Sequence, residues 1–223
     1  MPGKHIYEVD DAYFSIPTIE SCYWAGFLAA DGCSHPEMSY PSGGIRQNRH
    51  ISLTLEINDL PTLEKFKKAV EFTGAIGRYP ANGEAKIASI SINSRQMVDD
   101  LLCNFNVSSR KAFSLAPPDL YNENFSLAFI CGLFDGDGSL YYVKRDNTHG
   151  VGFNGTEAIC NWVKNYFDEK CPTHKKYALV RKAGRTSKTY KYDVIGNRAR
   201  DMAYLMETIP FVPRMERKML CVL

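Results

Sequence analysis

Two stretches of this chain are versions of one another. "YWAGFLAADG" occupies residues 23–32 and "FICGLFDGDG" residues 129–138. Laid one over the other, Gly26 falls on Gly132, Ala30 on Gly136, Asp31 on Asp137 and Gly32 on Gly138, each pair 106 positions apart. A second anchor follows. "NVSSRKAFSL" (106–115) over "VPRMERKMLC" (212–221) pairs Arg110 with Arg217 and Lys111 with Lys218, now 107 positions apart. Two separated anchors at nearly one spacing mark duplication of a unit of about a hundred residues. That is too long for a solenoid period and implies two related domains.

The coarse pattern of each unit agrees. An apolar helix opens it, over 17–31 and 122–137. Ser15 or Thr18 suits the first helix as N-cap, with Pro17 and Glu20 in its first turn, and Asn122 or Asn124 suits the second. Gly32 and Gly138 suit the helix ends. "HISLTLEI" (50–57) alternates apolar and polar residues as a half-buried strand does. Residues 61–72 read as helix, 78–92 as two strands about an Asn-Gly turn, and 95–105 as helix. The second unit repeats this with strands in 138–155, a helix in 157–167, a hairpin in 175–195 and a helix in 198–207. The expected fold is mixed α+β, the order αββαββα occurring twice as pseudo-symmetric repeats. The boundaries read as 1–115 for the first repeat, 116–122 for a linker carrying paired prolines, and 123–223 for the second.

Charge is unevenly spread between the halves. The net charge is +2, but residues 1–120 carry 11 Lys/Arg against 14 Asp/Glu, and residues 121–223 carry 16 against 11. The second half is the better anchor for a polyanion. Seven cysteines without a C-x-x-C pair read as reduced thiols inside a cell. Met1–Asp11 has no apolar core for a signal peptide, and no apolar run is long enough to span a bilayer, so an intracellular, membrane-free protein is expected.

The motif carries the chemistry. Gly26 with Ala30, and Gly132 with Gly136, set small residues one turn apart on one helix face, which lets two helix backbones approach closely. If the two opening helices meet through these faces, Asp31 and Asp137 project side by side from their ends. A carboxylate at a helix C-terminus is disfavoured by the dipole, and two together repel. Hard divalent cations, Mg²⁺ above all, suit such a pair, and acid-held metals are a common device for phosphodiester cleavage. A calcium loop begun at Asp135 fails, because Leu140 stands where its glycine belongs and Asp146 where its glutamate belongs. His35, His50, His149 and His174 show no metal spacing, and Trp24 and Trp162 read as core. Nothing resembles a Ser-His-Asp set, a P-loop or a dinucleotide fingerprint.

"WAGFLAADG" and "ICGLFDGDG" resemble the paired signature motifs of the LAGLIDADG homing endonucleases in their single-chain form, and the αββαββα order extends the resemblance over nearly the whole chain. The resemblance implies a pseudo-twofold molecule whose motif helices form the interface through Gly26, Ala30, Gly132 and Gly136, with two antiparallel sheets making a saddle on double-stranded DNA. It implies that Asp31 and Asp137 bind Mg²⁺, with Mn²⁺ able to substitute, and that Ala30 and Gly136 belong to the metal site. The first acid of the motif is Ala29 in one copy and Asp135 in the other. Glu56 matches the family's residue that positions metal-bound water; Gly152 or Asn154 stands at the corresponding place in the second repeat. Lys111 and Lys218, beside Arg110 and Arg217, match the family's basic residue near the metals.

The DNA-reading surface implied is the strands. Residues 175–193 hold seven Lys/Arg against one Asp, namely Lys175, Lys176, Arg181, Lys182, Arg185, Lys188 and Lys191, with tyrosines interleaved. Lys144 and Arg145 add to them, and the first-repeat set is Arg46, Gln47, Asn48, Arg49, Arg78 and Lys86. Lys65, Lys67 and Lys68 read as a solvated face. The expected function is a monomeric, site-specific intron-homing endonuclease that makes a staggered double-strand cut. The alternatives are an RNA-splicing maturase acting on its own intron RNA and a non-cleaving DNA-binding regulator. An intein is disfavoured, since Met1 is not a splicing Cys or Ser and "MLCVL" lacks a terminal His-Asn.

Overall fold

The structure is a computed structural model of the whole chain; it describes residues 7–35, 38–39, 45–46, 49–81, 84–108, 114–182 and 189–218. The Asn-Gly turn at 82–83, and Gln47, Asn48, Arg110, Lys111, Arg185 and Lys188, lie outside the described residues.

The first repeat runs α1 (Ile19–Ala30), β1 (Gly32–His35), β2 (Met38–Ser39), β3 (Ile45–Arg46), β4 (His50–Glu56), α2 (Leu60–Ala69), β5 (Gly77–Ala81), β6 (Glu84–Asn93) and α3 (Arg95–Phe105). The second runs α4 (Glu123–Asp137), β7 (Ser139–Val143), β8 (Thr148–Gly155), α5 (Glu157–Lys170), β9 (Leu179–Arg181), β10 (Tyr190–Ile195) and α6 (Asn197–Thr208). The mixed architecture expected from sequence is present in both repeats. The first also inserts the short β2–β3 pairing between β1 and β4. Each repeat forms a four-stranded antiparallel sheet of the same strand order, β1-β4-β6-β5 and β7-β8-β10-β9. No described helix is long and apolar enough to cross a membrane.

Local chemistry sets the helix starts. Thr18 caps α1 in a reciprocal capping box with Ser21, so Pro17 lies outside the first turn. The Ser15 hydroxyl donates instead to Asp100 at 2.5 Å. Asn122 caps α4, its side-chain oxygen accepting from the Asn124 N–H at 2.8 Å.

The two motif helices are buried all round, from Ser21 to Ala29 and from Leu127 to Asp135. That needs partners on every side, which the opposite helix and the two sheets supply. Their glycines set the separation. A Cβ on Gly26 would lie 2.1 Å from the Phe129 carbonyl oxygen, and one on Gly132 would lie 2.0 Å from that of Tyr23. One on Gly136 would lie 2.3 Å from the Ala30 Cβ. The backbones therefore touch. Gly138 serves a different purpose from the one expected. Its φ of −71° and ψ of 162° are open to any residue, so no left-handed cap is formed. It is a glycine because a Cβ would meet the Phe134 carbonyl oxygen at 2.5 Å.

The segments after the last helix of each repeat reach across to the other. Thr156 donates to the Leu115 carbonyl at 2.6 Å. Lys65 donates to the Arg214 carbonyl at 3.2 Å, and Arg217 Nε donates to both oxygens of the buried Asp59 at 2.8 and 3.0 Å.

Candidate nucleic-acid interface and cation site

At the end of the helix seam the backbones stay in contact: the Cβ position of Gly136 is 3.5 Å from the Asp31 amide nitrogen. Asp31 and Asp137 are both exposed there. The structure thus brings the two matched acids to one end of one seam, from two helices. Asn154, on β8, donates from Nδ2 to the Asp137 carbonyl at 3.0 Å. Its Oδ1 is buried and has no hydrogen-bond partner. A cavity of about 230 Å³ beside the seam is lined by Ala30, Asp137, Asn154, Lys182 and Thr189 among others.

These donors fit a hard cation in one specific way. Among the described residues no three His, Cys, Asp or Glu side chains converge into a closed cage. Mg²⁺ commonly takes only one or two carboxylates and completes its shell with water and substrate phosphate. Asp31, Asp137 and the unpartnered Asn154 oxygen supply oxygen ligands of that kind. Gly136 was expected in the metal site, and its carbonyl accepts from Lys218 Nζ at 2.5 Å.

Lys218 is more deeply placed than expected. It is buried, and its ammonium also donates to the carbonyls of Phe134 at 3.2 Å and Gly138 at 2.9 Å. All three acceptors lie at the C-terminal end of α4, a favourable place for a cation. Burial and then the neighbouring Arg217 pull its pKa below the usual lysine range, against the opposing pull of Asp135, Asp31 and Asp137. The positive charge that offsets acid at the α4 terminus is therefore built into the protein.

Asp135, the first acid of the second motif, has a structural role. It is fully buried. Arg214 grips it through Nε and Nη2, both at 3.1 Å, while the Tyr23 hydroxyl and the Met215 N–H each donate to Oδ2 at 2.8 Å. Burial, and then the Asp135 charge, push the Tyr23 hydroxyl well above its usual pKa. The signal was available: at the repeat spacings Asp135 falls on Ala29 and Arg214 on Val107. Both ionic partners are apolar in the first repeat.

Glu56 ends β4 and is exposed. With Asp59 and Asp31 it raises the Arg217 pKa, chiefly through the Asp59 hydrogen bonds. Its counterpart is neither Gly152 nor Asn154. Cys33 faces Ser52 across β1–β4, and Ser139 faces Gly152 across β7–β8. That register aligns Asn154 with Thr54 and Glu56 with Thr156, the N-cap of α5. The second repeat has no acid at this position.

The strands sort the expected DNA contacts by face. Ile51, Leu53 and Leu55 on β4, and Tyr192 and Val194 on β10, are buried toward the helices. The opposite faces carry Ser52, Thr54, Ser89 and Ser91 in the first repeat. In the second they carry Ser139, Tyr141, Asn154, Lys191 and Asp193, with Lys182 and Thr189 continuing the β9–β10 ladder. Lys182 and Lys191 thus stand on the open face. Lys144 and Arg145 occupy the exposed turn between β7 and β8, and Lys175 and Lys176 an exposed loop. Three expected contacts fall on the other side. Arg49 pairs with Asp99 of α3. Arg78 is opposite Ala88 and Arg181 is opposite Tyr190, both on helix-side registers, while Lys86 is the residue passed over where the β5–β6 register shifts beside Tyr79. Alternation reverses the face at each residue, and a charge count along the chain cannot register that. Arg46 is on β3, with no side-chain environment described.

No protein-family model matches the chain, and no curated protein matches it. Solved structures do. The chain is similar to the LAGLIDADG homing endonuclease I-GzeII in complex with a DNA target, with a TM-score of 0.58 and 11% identity over 92% of this chain and 88% of that one. It is similar to I-DmoI in complex with DNA and Ca, with a TM-score of 0.53, 16% identity, and 90% of each chain covered. It is also similar to the LAGLIDADG meganuclease I-CpaMI bound to uncleaved DNA, with a TM-score of 0.55 and 12% identity over 87% and 86% of the two chains.

Proposed function

We propose that this chain, which has the fold of the single-chain LAGLIDADG homing endonucleases, is a monomeric, site-specific endonuclease of double-stranded DNA dependent on a divalent cation such as Mg²⁺. The observation that carries the reading is the convergence of Asp31 and Asp137, exposed at one end of a seam closed tightly enough to bring the backbones into contact. Two helices buried along their length for the sake of two exposed acids is an arrangement that packing alone does not require.

In this reading Asp31 and Asp137 hold the cations, and Asn154 Oδ1 adds an oxygen ligand on the second-repeat side. A bound cation there supplies charge neutralisation at the scissile phosphates and lowers the pKa of attacking water. Glu56 orients that water on the first-repeat side. Lys218 holds the carbonyls of 134, 136 and 138, so the Asp137 backbone keeps its place as charge develops. Lys182 and Lys191 face the duplex, and the two sheets together span the site. Each acid serves one strand, giving a staggered cut.

The experiment is cleavage by Asp31→Asn and Asp137→Asn of a target selected from a randomised duplex library in Mg²⁺. Either substitution is expected to abolish double-strand cutting and leave DNA binding largely intact. Undiminished cutting by both variants overturns the proposal. Wild-type chain that binds duplex without cutting it in Mg²⁺ or Mn²⁺ leaves a DNA-binding regulator in its place.

A further inference from the structure

Among the described residues the open face of the second sheet holds one carboxylate, in the segment with the densest positive charge. Asp193 is the single acid among the seven cations of residues 175–193. Tyr192 and Val194 are buried toward the helices, so Asp193 and Lys191 point to the opposite side. A carboxylate facing a polyanion is repelled by every phosphate. It is favourable there against a neighbouring cation or against hydrogen-bond donors, and on duplex DNA the donors are on base edges.

The surroundings of Asp193 are built to hold it. It faces Gly152 across β10–β8, and a Cβ on Gly152 would lie 2.3 Å from its Oδ1. A Cβ on Gly150 would lie 2.4 Å from the Tyr141 ring. The two glycines clear the sheet floor, and Tyr141 and Asp193 lie over them. Asp193 Oδ1 is buried and Oδ2 meets Lys191 Nζ at 2.6 Å, with the same ammonium 5.5 Å from the centre of the Tyr141 ring. At this spot Lys191 has its charge matched, so the pair adds little phosphate neutralisation. The matching positions of the first repeat are Ser89 and Ser91, opposite Thr54 and Ser52. The charged unit belongs to the second repeat.

We propose that Asp193 and Lys191, set by Tyr141 over Gly150 and Gly152, read one C·G base pair in the half-site bound by the second repeat. This rests on the DNA-binding reading above. Asp193 accepts from the cytosine N4 amino group through Oδ2, the oxygen beside Lys191, and Lys191 donates to the guanine O6 and N7 of the same pair. The adenine N6 amino group is the other major-groove donor, but the acceptor N7 beside it disfavours a carboxylate.

The test is selection of bound duplexes from a randomised library with the full chain and its Asp193→Ala and Asp193→Asn variants. Wild type is expected to enrich one C·G pair in the second half-site. Asp193→Ala should relax that preference, by on the order of tenfold, while preferences elsewhere persist. Asp193→Asn, which keeps the shape, should move the preference toward adenine, because an amide pairs with N6 and N7 together. Base preferences in both variants that match wild type at every position overturn this inference and leave DNA binding standing. A wild-type chain that enriches no duplex overturns both.

Discussion

At the scale of single residues, the second repeat commits an ion pair with both partners buried to the core. Asp135 is fully buried and satisfied by Arg214, Tyr23 and the Met215 amide. Removing Asp135 leaves the buried Arg214 with the longer ion pair to Glu207 at 3.4 Å. Asp135→Ala is therefore expected to cost about 3–5 kcal/mol in urea unfolding. Adding Arg214→Val, which gives the second repeat the apolar pair of the first, should recover most of that loss. Thiols follow the same logic of burial. Burial pushes Cys22 and Cys131 up to about 12 and Cys160 up to about 11. A folded-state pKa above the unfolded one means that this stability is fully present below the ordinary thiol range. It is lost as pH climbs toward about 12. Alkylation under mildly alkaline conditions, followed by mass spectrometry, should mark the exposed Cys103 and spare these three.

At the scale of elements, the seam between α1 and α4 decides whether the chain folds. A methyl at Gly132 would come 2.0 Å from one backbone atom of α1 and 2.6 Å from another. No side chain can yield there, so the helices must part. Gly132→Ala is expected to destabilise by at least the 1–3 kcal/mol of ordinary overpacking and to lower the melting temperature accordingly. Lys218→Met should lower stability by about 2–3 kcal/mol, since three carbonyls at the α4 terminus lose a charged donor. An unchanged melting temperature would show that Lys218 is not the cap this geometry makes it. Much of this was legible in the sequence: the recurring small residues gave the seam, and Thr18 and Asn122 were among the expected caps. The reason for Gly138 was not legible, because the collision with Phe134 depends on the path the chain takes into β7.

At the scale of the molecule, the repeats share a fold and differ in surface. The first sheet offers hydroxyls on its open face, with Thr54 and Ser89 bonded at 2.9 Å. The second offers Lys182, Lys191, Asp193 and Tyr141. Phosphate binding should therefore lean on the second repeat. Lys182→Ala is expected to weaken duplex binding uniformly across sequences and to reduce the slope of log affinity against log salt by about 1. Arg49→Ala should leave that slope unchanged, because Arg49 pairs with Asp99 on the helix side. Equal slopes for both variants would refute the assignment of faces.

The sequence by itself determined the duplication, the order of elements, the small-residue helix face and the two matched acids. All of these are periodic or repeated, so they survive reading along one dimension. Tertiary structure decided the rest. It turned Lys218 inward onto three carbonyls, joined Asp135 to Arg214 across 79 residues, and carried Arg217 to Asp59 across 158. It also divided one run of positive charge between two faces of a sheet. Each of these depends on which groups, distant in the chain, share a small volume from which water is excluded, and spacing along the sequence does not encode that.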